Sequence, residues 1–206
     1  IDAEKIEAAI TNKTKAILPV SLFGQPSDLD KIQTIANNFN LKVIIDGAQS
    51  FGSQFNGVSD SSLGDISITS FFPAKPLGCY GDGGAIFTNS DEYASKLKML
   101  RVHGQSEPYA HKYIGLGGRL DTIQAAILLA KLPHYKNEIN IRNEVSLTYS
   151  THFQKYFKTP VIRPNRTSVW AQYTIRTLDR DKIQSKLKNN GIPSAIYYPM
   201  PIHLQE

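Results

Sequence analysis

Four residues of the chain have types and spacing that suit chemistry on one bound group. Asp46 ends the apolar run "VIID", and Gln49 follows three residues later in "DGAQS". Ser70 ends "DISITS", and Lys75 follows five residues later between Pro73 and Pro76. In an open α/β sheet, ligands bind outside the carboxyl ends of the strands. An acid there meets a ligand, or else caps a turn or the next helix. The Gln49 amide can both donate and accept, though a lone Gln is commonly a loop residue. A hydroxyl at a strand end, from Thr69 or Ser70, binds phosphate or closes a turn. Lys75 sits among Phe71, Phe72, Leu77 and Tyr80, surroundings that favour partial burial. Burial disfavours the charged form of an amine, and a neutral amine forms a Schiff base with an aldehyde. An acid to hold a pyridine nitrogen protonated, an amine for an imine and a hydroxyl for phosphate together suit pyridoxal 5'-phosphate (PLP).

These residues need a sheet to position them. "KAILPVSLF" reads as a short buried strand, "GQPSDLD" as a turn and "LDKIQTIANNF" as a helix capped by Ser27 or Asp28. "LKVIIDGA" is the next strand. Strand, helix, strand at these intervals is a βαβ unit, which implies a parallel sheet covered on both faces. "DISITSFF" and "GGAIFTN" add strands, and "SDEYASKLKMLRVHG" a helix opened by Ser90 and stopped by Gly104. "YIGLGGRL" reads as a loop. A long helical stretch from Leu120 contains Pro133, which predicts a kink or break. From about Thr159 the texture suggests strand, helix, strand of a smaller α+β unit. The predicted division is residues 1–135 as part of a large ligand-binding domain and 136–206 as a connecting helix with part of a small domain. The opening "DAEKIEAAI" has helical spacing.

Composition narrows the class. The chain has 206 residues, 41% of them hydrophobic, with 23 basic and 18 acidic residues and a net charge of +5. That suits a globular protein. No apolar run reaches the roughly 20 residues of a membrane span, and no signal peptide opens the chain. Charges of both signs are interspersed, with no basic stripe interleaved with aromatics, which argues against nucleic acid as partner. The single cysteine, Cys79, excludes an internal disulfide and a Cys-based zinc cluster; no metal site is expected. It points to a reducing cytoplasm and reads as a small structural residue. The glycines of "GCYGDGGA" fit neither GxGxxG before a helix nor a P-loop; they read as a tight turn that lets backbone approach a bound group.

"IIDGAQSFGS", "TSFFPAKPLGCYGDGGAIFT", "LRVHGQ" and "GGRLDTIQAAILLAKL" resemble the DegT/DnrJ/EryC1/StrS family of PLP-dependent nucleotide-sugar aminotransferases. "VSLFGQPSDLD" and "YYPMPI" resemble in particular its enzymes that aminate UDP-2-acetamido-2-deoxy-3-oxo-glucuronate for bacterial surface polysaccharides such as O-antigen. The resemblance implies an aspartate-aminotransferase-like α/β fold, a UDP-linked keto sugar as acceptor, an amino donor such as glutamate, and a homodimer. It implies that Lys75 forms the Schiff base and later moves the proton. Asp46 pairs with the pyridinium nitrogen, Gln49 meets the ring or its 3-oxygen, and Ser70 binds phosphate. Arg119 is a candidate for gripping a carboxylate or phosphate of a partner subunit, or for an ion pair at an interface. His103 and Tyr198 fall near the substrate. Two positions depart from the family pattern. Gly117 stands where many relatives have an Asn that reaches the cofactor phosphate across the dimer, and Tyr197 stands where close relatives often have His. The resemblance also implies about a hundred further residues before Ile1, with a phosphate-holding helix N-terminus, and a continuation past Glu206. The chain thus reads as an internal fragment. Two rival functions stand beside the aminotransferase. A sugar dehydratase of the same family would tend to carry His in place of Lys75, and a noncatalytic sugar-nucleotide-binding regulator would bind no PLP.

Overall fold

The computed structural model describes residues 1–206. A first helical segment at Ala3–Lys5 runs into the single turn α1, Ile6–Ala9. The first strand, β1, is only Ala16–Ile17, and α2 spans Leu29–Asn38. β2 is Lys42–Asp46, β3 Gln54–Phe55, β4 Val58–Ser59, β5 Ile66–Ser70 and β6 Gly84–Phe87. Then come α3 Asp91–Leu100, β7 Gln105–Glu107, β8 Ala110–His111, α4 Thr122–Phe153 and α5 Arg180–Asn189.

The main sheet has the order β1-β2-β5-β6. β1, β2 and β5 are parallel, as the βαβ reading requires, and β6 returns antiparallel to β5. The sheet is therefore mixed. Side chains alternate between faces along each strand. Val43 and Ile45 point to one face and are buried with Leu29, Ile32, Ile35 and Ala36 of α2. The other face carries Leu18, Val20 and Ile86, which are 52%, 36% and 51% exposed. Within this chain one face is well covered and the other is half open, which differs from the expectation of cover on both. β1 is short for a separate reason. Pro19 interrupts the ladder, and the chain rejoins only at the Val20–Asp46 bridge.

Three local expectations need correction. Neither Ser27 nor Asp28 caps α2 with its side chain. Ser27 Oγ donates to Val20 O at 3.0 Å, while the Asp28 carboxylate accepts from Arg166 Nη2 at 2.9 Å. Pro133 does not break the long helix; α4 runs continuously through it. Leu128 and Tyr135, on either side of the proline, are both buried in one cluster with Phe71, Leu77 and Cys79. That packing outweighs one lost backbone bond. After Thr159 the expected strands are absent apart from the isolated Lys158–Arg176 and Phe55–Arg166 bridges. Extended backbone with isolated paired rungs does not make a ladder. Ser90, by contrast, caps α3 as expected, accepting from Tyr93 N at 3.3 Å.

Candidate active site

β2 and β5 lie side by side and parallel, so Asp46 and Ser70 share the carboxyl edge of the sheet. Asp46 pairs with Ile68, and Ser70 stands two residues further on. Side chains two apart share a face, so Asp46, Ile68 and Ser70 all point to the half-open face, about 7 Å separating the Asp46 and Ser70 levels along the strand. Asp46 Oδ1 accepts from Ala48 N at 3.0 Å. This is the turn-capping role that the sequence allowed, and it occupies one oxygen only. Ser70 Oγ accepts from Phe72 N at 3.2 Å, which leaves its own proton to donate.

Lys75 lies in the connection between β5 and β6. That connection folds tightly on itself. Cys79 N donates to Phe71 O at 2.8 Å, and Phe71 N to Gly83 O at 2.7 Å. Cys79 Sγ, fully buried, donates to Phe71 O (3.0 Å) with Gly81 O also close (3.1 Å), so the thiol is structural. The glycines serve this folding. A Cβ on Gly78 would lie 2.6 Å from Pro73 O, and one on Gly84 2.8 Å from Thr69 O. From outside, α4 holds the loop. Lys131 Nζ donates to Gly78 O at 2.5 Å, and Gln124 Oε1 accepts from Tyr80 N at 2.8 Å. Lys75 is half-buried within this braced loop. Its Nζ enters none of the ion pairs of the chain.

Gln49 is buried, and both ends of its amide are engaged. Oε1 accepts from Phe23 N at 2.6 Å and Nε2 donates to Tyr198 Oη at 2.9 Å. The structure thus brings Tyr198, 149 residues away in sequence, to the Asp46–Gln49 turn. His103 and Arg119 do not join this group through any hydrogen bond. They lie in the region where Val102 bridges Gly117. Both side chains are exposed, and Arg119 has no ion-pair partner in the chain. A Cβ on Gly117 would approach His103 Cε1 to 3.1 Å, so a side chain there would press on that ring.

Sequence reasoning missed three contributors. Lys131 and Gln124 act from a helix some fifty residues downstream, and no local pattern marks them. The third is Asp60, fully buried, whose Oδ2 accepts from Ser50 Oγ at 2.5 Å. Burial pushes its carboxyl up to about 6, against the pull of the Ser50, Ser21 and Ser53 hydroxyls and the Ser61 N–H.

A sequence model of the DegT/DnrJ/EryC1/StrS aminotransferase family matches residues 1–206. The UDP-2-acetamido-2-deoxy-3-oxo-D-glucuronate aminotransferase of Pseudomonas aeruginosa is 48% identical over 100% of this chain and 57% of its own length. A pleiotropic regulatory protein of Geobacillus stearothermophilus is 45% identical over 100% of the chain and 56% of its own. Among solved structures, a DegT DnrJ EryC1 StrS aminotransferase from Brucella abortus superposes with a TM-score of 0.97 at 41% identity, over 100% of this chain and 57% of that one. The Bacillus subtilis protein NtdA, solved with bound cofactor PMP, gives a TM-score of 0.87 at 33% identity, over 100% and 48%. The chain spans about half the length of the relatives it matches.

Proposed function

The chain belongs to the DegT/DnrJ/EryC1/StrS aminotransferase family, and from that premise we propose that the full-length protein is a PLP-dependent aminotransferase that aminates the keto sugar of a UDP-sugar. The observation that carries this reading is the donor set at one sheet edge. A carboxylate with one oxygen free and a hydroxyl with its proton free share an open face, and an amine outside every ion pair stands five residues on. These are the groups that PLP needs, and they fit it.

When bound, the cofactor supplies an electron sink for the carbon that loses its proton. The chain's residues do the rest. Asp46 Oδ2 would hold a proton on the pyridine nitrogen through a charge-assisted bond. The Ser70 hydroxyl would donate to the phosphate. Lys75 Nζ would hold the cofactor at its aldehyde carbon and would serve as the positioned general base. Gln49 fixes the turn under Asp46 and holds Tyr198 at the site's edge. Arg119 and His103 are exposed and serve a substrate or a partner subunit's site.

Glutamate is the proposed donor, the homodimer the proposed assembly, the cytoplasm the proposed compartment and surface polysaccharide such as O-antigen the proposed product. Residues 1–135 are assigned to the large cofactor-binding domain and 136–206 to the connecting helix and part of the small one. No helix is long and apolar enough to cross a membrane. The presence of Lys75 rather than His weighs against a dehydratase. In a coupled assay with glutamate and a UDP-3-keto sugar, the full-length protein is expected to release 2-oxoglutarate and an aminated UDP-sugar. Release of a dehydrated sugar instead would refute the reading.

A further inference from the structure

Behind the turn that carries Asp46 and Gln49 lies a buried polar knot. Ser50 Oγ donates to Asp60 Oδ2 at 2.5 Å. Ser21, Ser50, Ser53 and Asp60 are all fully buried. The hydroxyls of Ser21 and Ser53 face the same carboxylate, yet neither they nor Asp60 Oδ1 has a hydrogen-bond partner of ordinary geometry.

Each member of the knot is tied to the turn. Ser21 N donates to Asp46 O at 2.9 Å, and Ser50 N to Gly47 O at 3.0 Å. Ser53 N donates to Ser50 O at 2.8 Å, and Asp60 N to Ser53 O at 3.2 Å. The knot therefore fastens both ends of the Asp46–Ser50 turn from beneath. A buried carboxylate without a cation is costly for stability alone. No Lys, Arg or His faces Asp60. The titratable side chain in its field is Tyr135 of α4, on which Glu138 and Arg142 act in turn.

We propose that Asp60 is a positioning residue for cofactor binding: by taking the Ser50 hydroxyl as donor, with Ser21 and Ser53 facing it, its carboxylate fixes the turn that presents Asp46. This rests on the reading that Asp46 holds PLP. Asp60 itself touches no reacting atom. With its carboxyl pushed up to about 6, it is an acceptor-only anion at pH 8. Protonated, it loses the charge-assisted bond from Ser50.

The test uses the full-length protein, with Asp60→Asn and Ser50→Ala variants. The affinity for PLP is read from the Lys75-dependent visible band between pH 5 and 8.5, and a crystal structure of the PLP-free Asp60→Asn variant at pH 8 reads the turn directly. Wild-type affinity is expected to fall as pH drops through about 6. Asp60→Asn is expected to bind roughly tenfold more weakly at pH 8, to lack that acid limb and to show a shifted Asp46–Ser50 turn. Ser50→Ala is expected to bind more weakly with the limb moved upward, and it decides the matter if Asp60→Asn does not fold. A folded Asp60→Asn variant with wild-type affinity, the same acid limb and a superimposable turn overturns the proposal. A wild-type protein without any Lys75-dependent band overturns the aminotransferase reading, and this inference with it.

Discussion

What does not surround Lys75 suits its proposed role. It is half-buried, it forms no ion pair, and the loop that carries it is tied at both ends. Lys75→Ala is expected to remove the yellow band of bound PLP and to lower turnover by at least about 10²–10⁴-fold, read by absorbance and by 2-oxoglutarate release. Asp46→Asn keeps the shape and removes the charge. Its affinity for PLP is expected to fall by about 10–100-fold, matching about 1.5–3 kcal/mol for a hydrogen bond to a charged group, measured by titration at pH 8. The strand-end positions of Asp46 and Ser70 were legible in the sequence because an apolar strand ending in a polar residue writes its own edge. The partners of Gln49 were not. Its two hydrogen bonds reach 26 and 149 residues along the chain, and contacts of that kind leave no local pattern. Asp60 was hidden for the same reason. An Asp in a loop reads as solvated, and only the folded chain shows it fully buried among serines.

At the scale of elements, glycines let the Lys75 loop and the turn after α3 close. Gly104 has a φ of +73°, and a Cβ there would sit 1.7 Å from Tyr113 O. Gly104→Ala combines strain with a backbone clash, and its stability is expected to fall by more than the roughly 1–3 kcal/mol of ordinary overpacking, measured by urea unfolding. Gly78→Ala is expected to act differently. Its Cβ would meet Pro73 O at 2.6 Å, so the loop must shift and Lys75 with it. PLP binding should weaken more than the unfolding midpoint drops. The helix α2 was legible from its period, and α3 from its period and its Ser90 cap. The continuity of α4 through Pro133 was not, because tertiary packing of Leu128 and Tyr135 decides it. The strands expected after Thr159 failed for a complementary reason: β-rich composition forms a ladder only where backbone partners line up.

For the molecule as a whole, two properties follow from distribution rather than from single contacts. Ile114, Leu116, Ile123 and Leu129 are 100%, 65%, 67% and 70% exposed along the loop before α4 and its first turns. Exposed apolar side chains suit the proposed homodimer, and sedimentation of the full-length protein is expected to give a dimer. The second property is the pH dependence that Asp60 imposes. Its carboxyl is raised from 3.8 to about 6 in the folded state. Between those values the folded chain holds a proton that the unfolded chain has released, so stability from this group is present at low pH and is lost as pH rises through 6. The loss is on the order of 3 kcal/mol. Stability of Asp60→Asn relative to wild type should therefore rise from pH 4 to pH 6 and level off above, as read by paired denaturant titrations.

The proposed role of Lys75, in the braced loop that follows Ser70, is to hold PLP for transfer of an amino group. The most direct measurement is the visible spectrum of the full-length protein with PLP, before and after glutamate, beside Lys75→Ala. A yellow band that requires Lys75 and fades on adding glutamate is the predicted result. A protein that binds the UDP-sugar yet forms no band, or a band indifferent to Lys75, would contradict it.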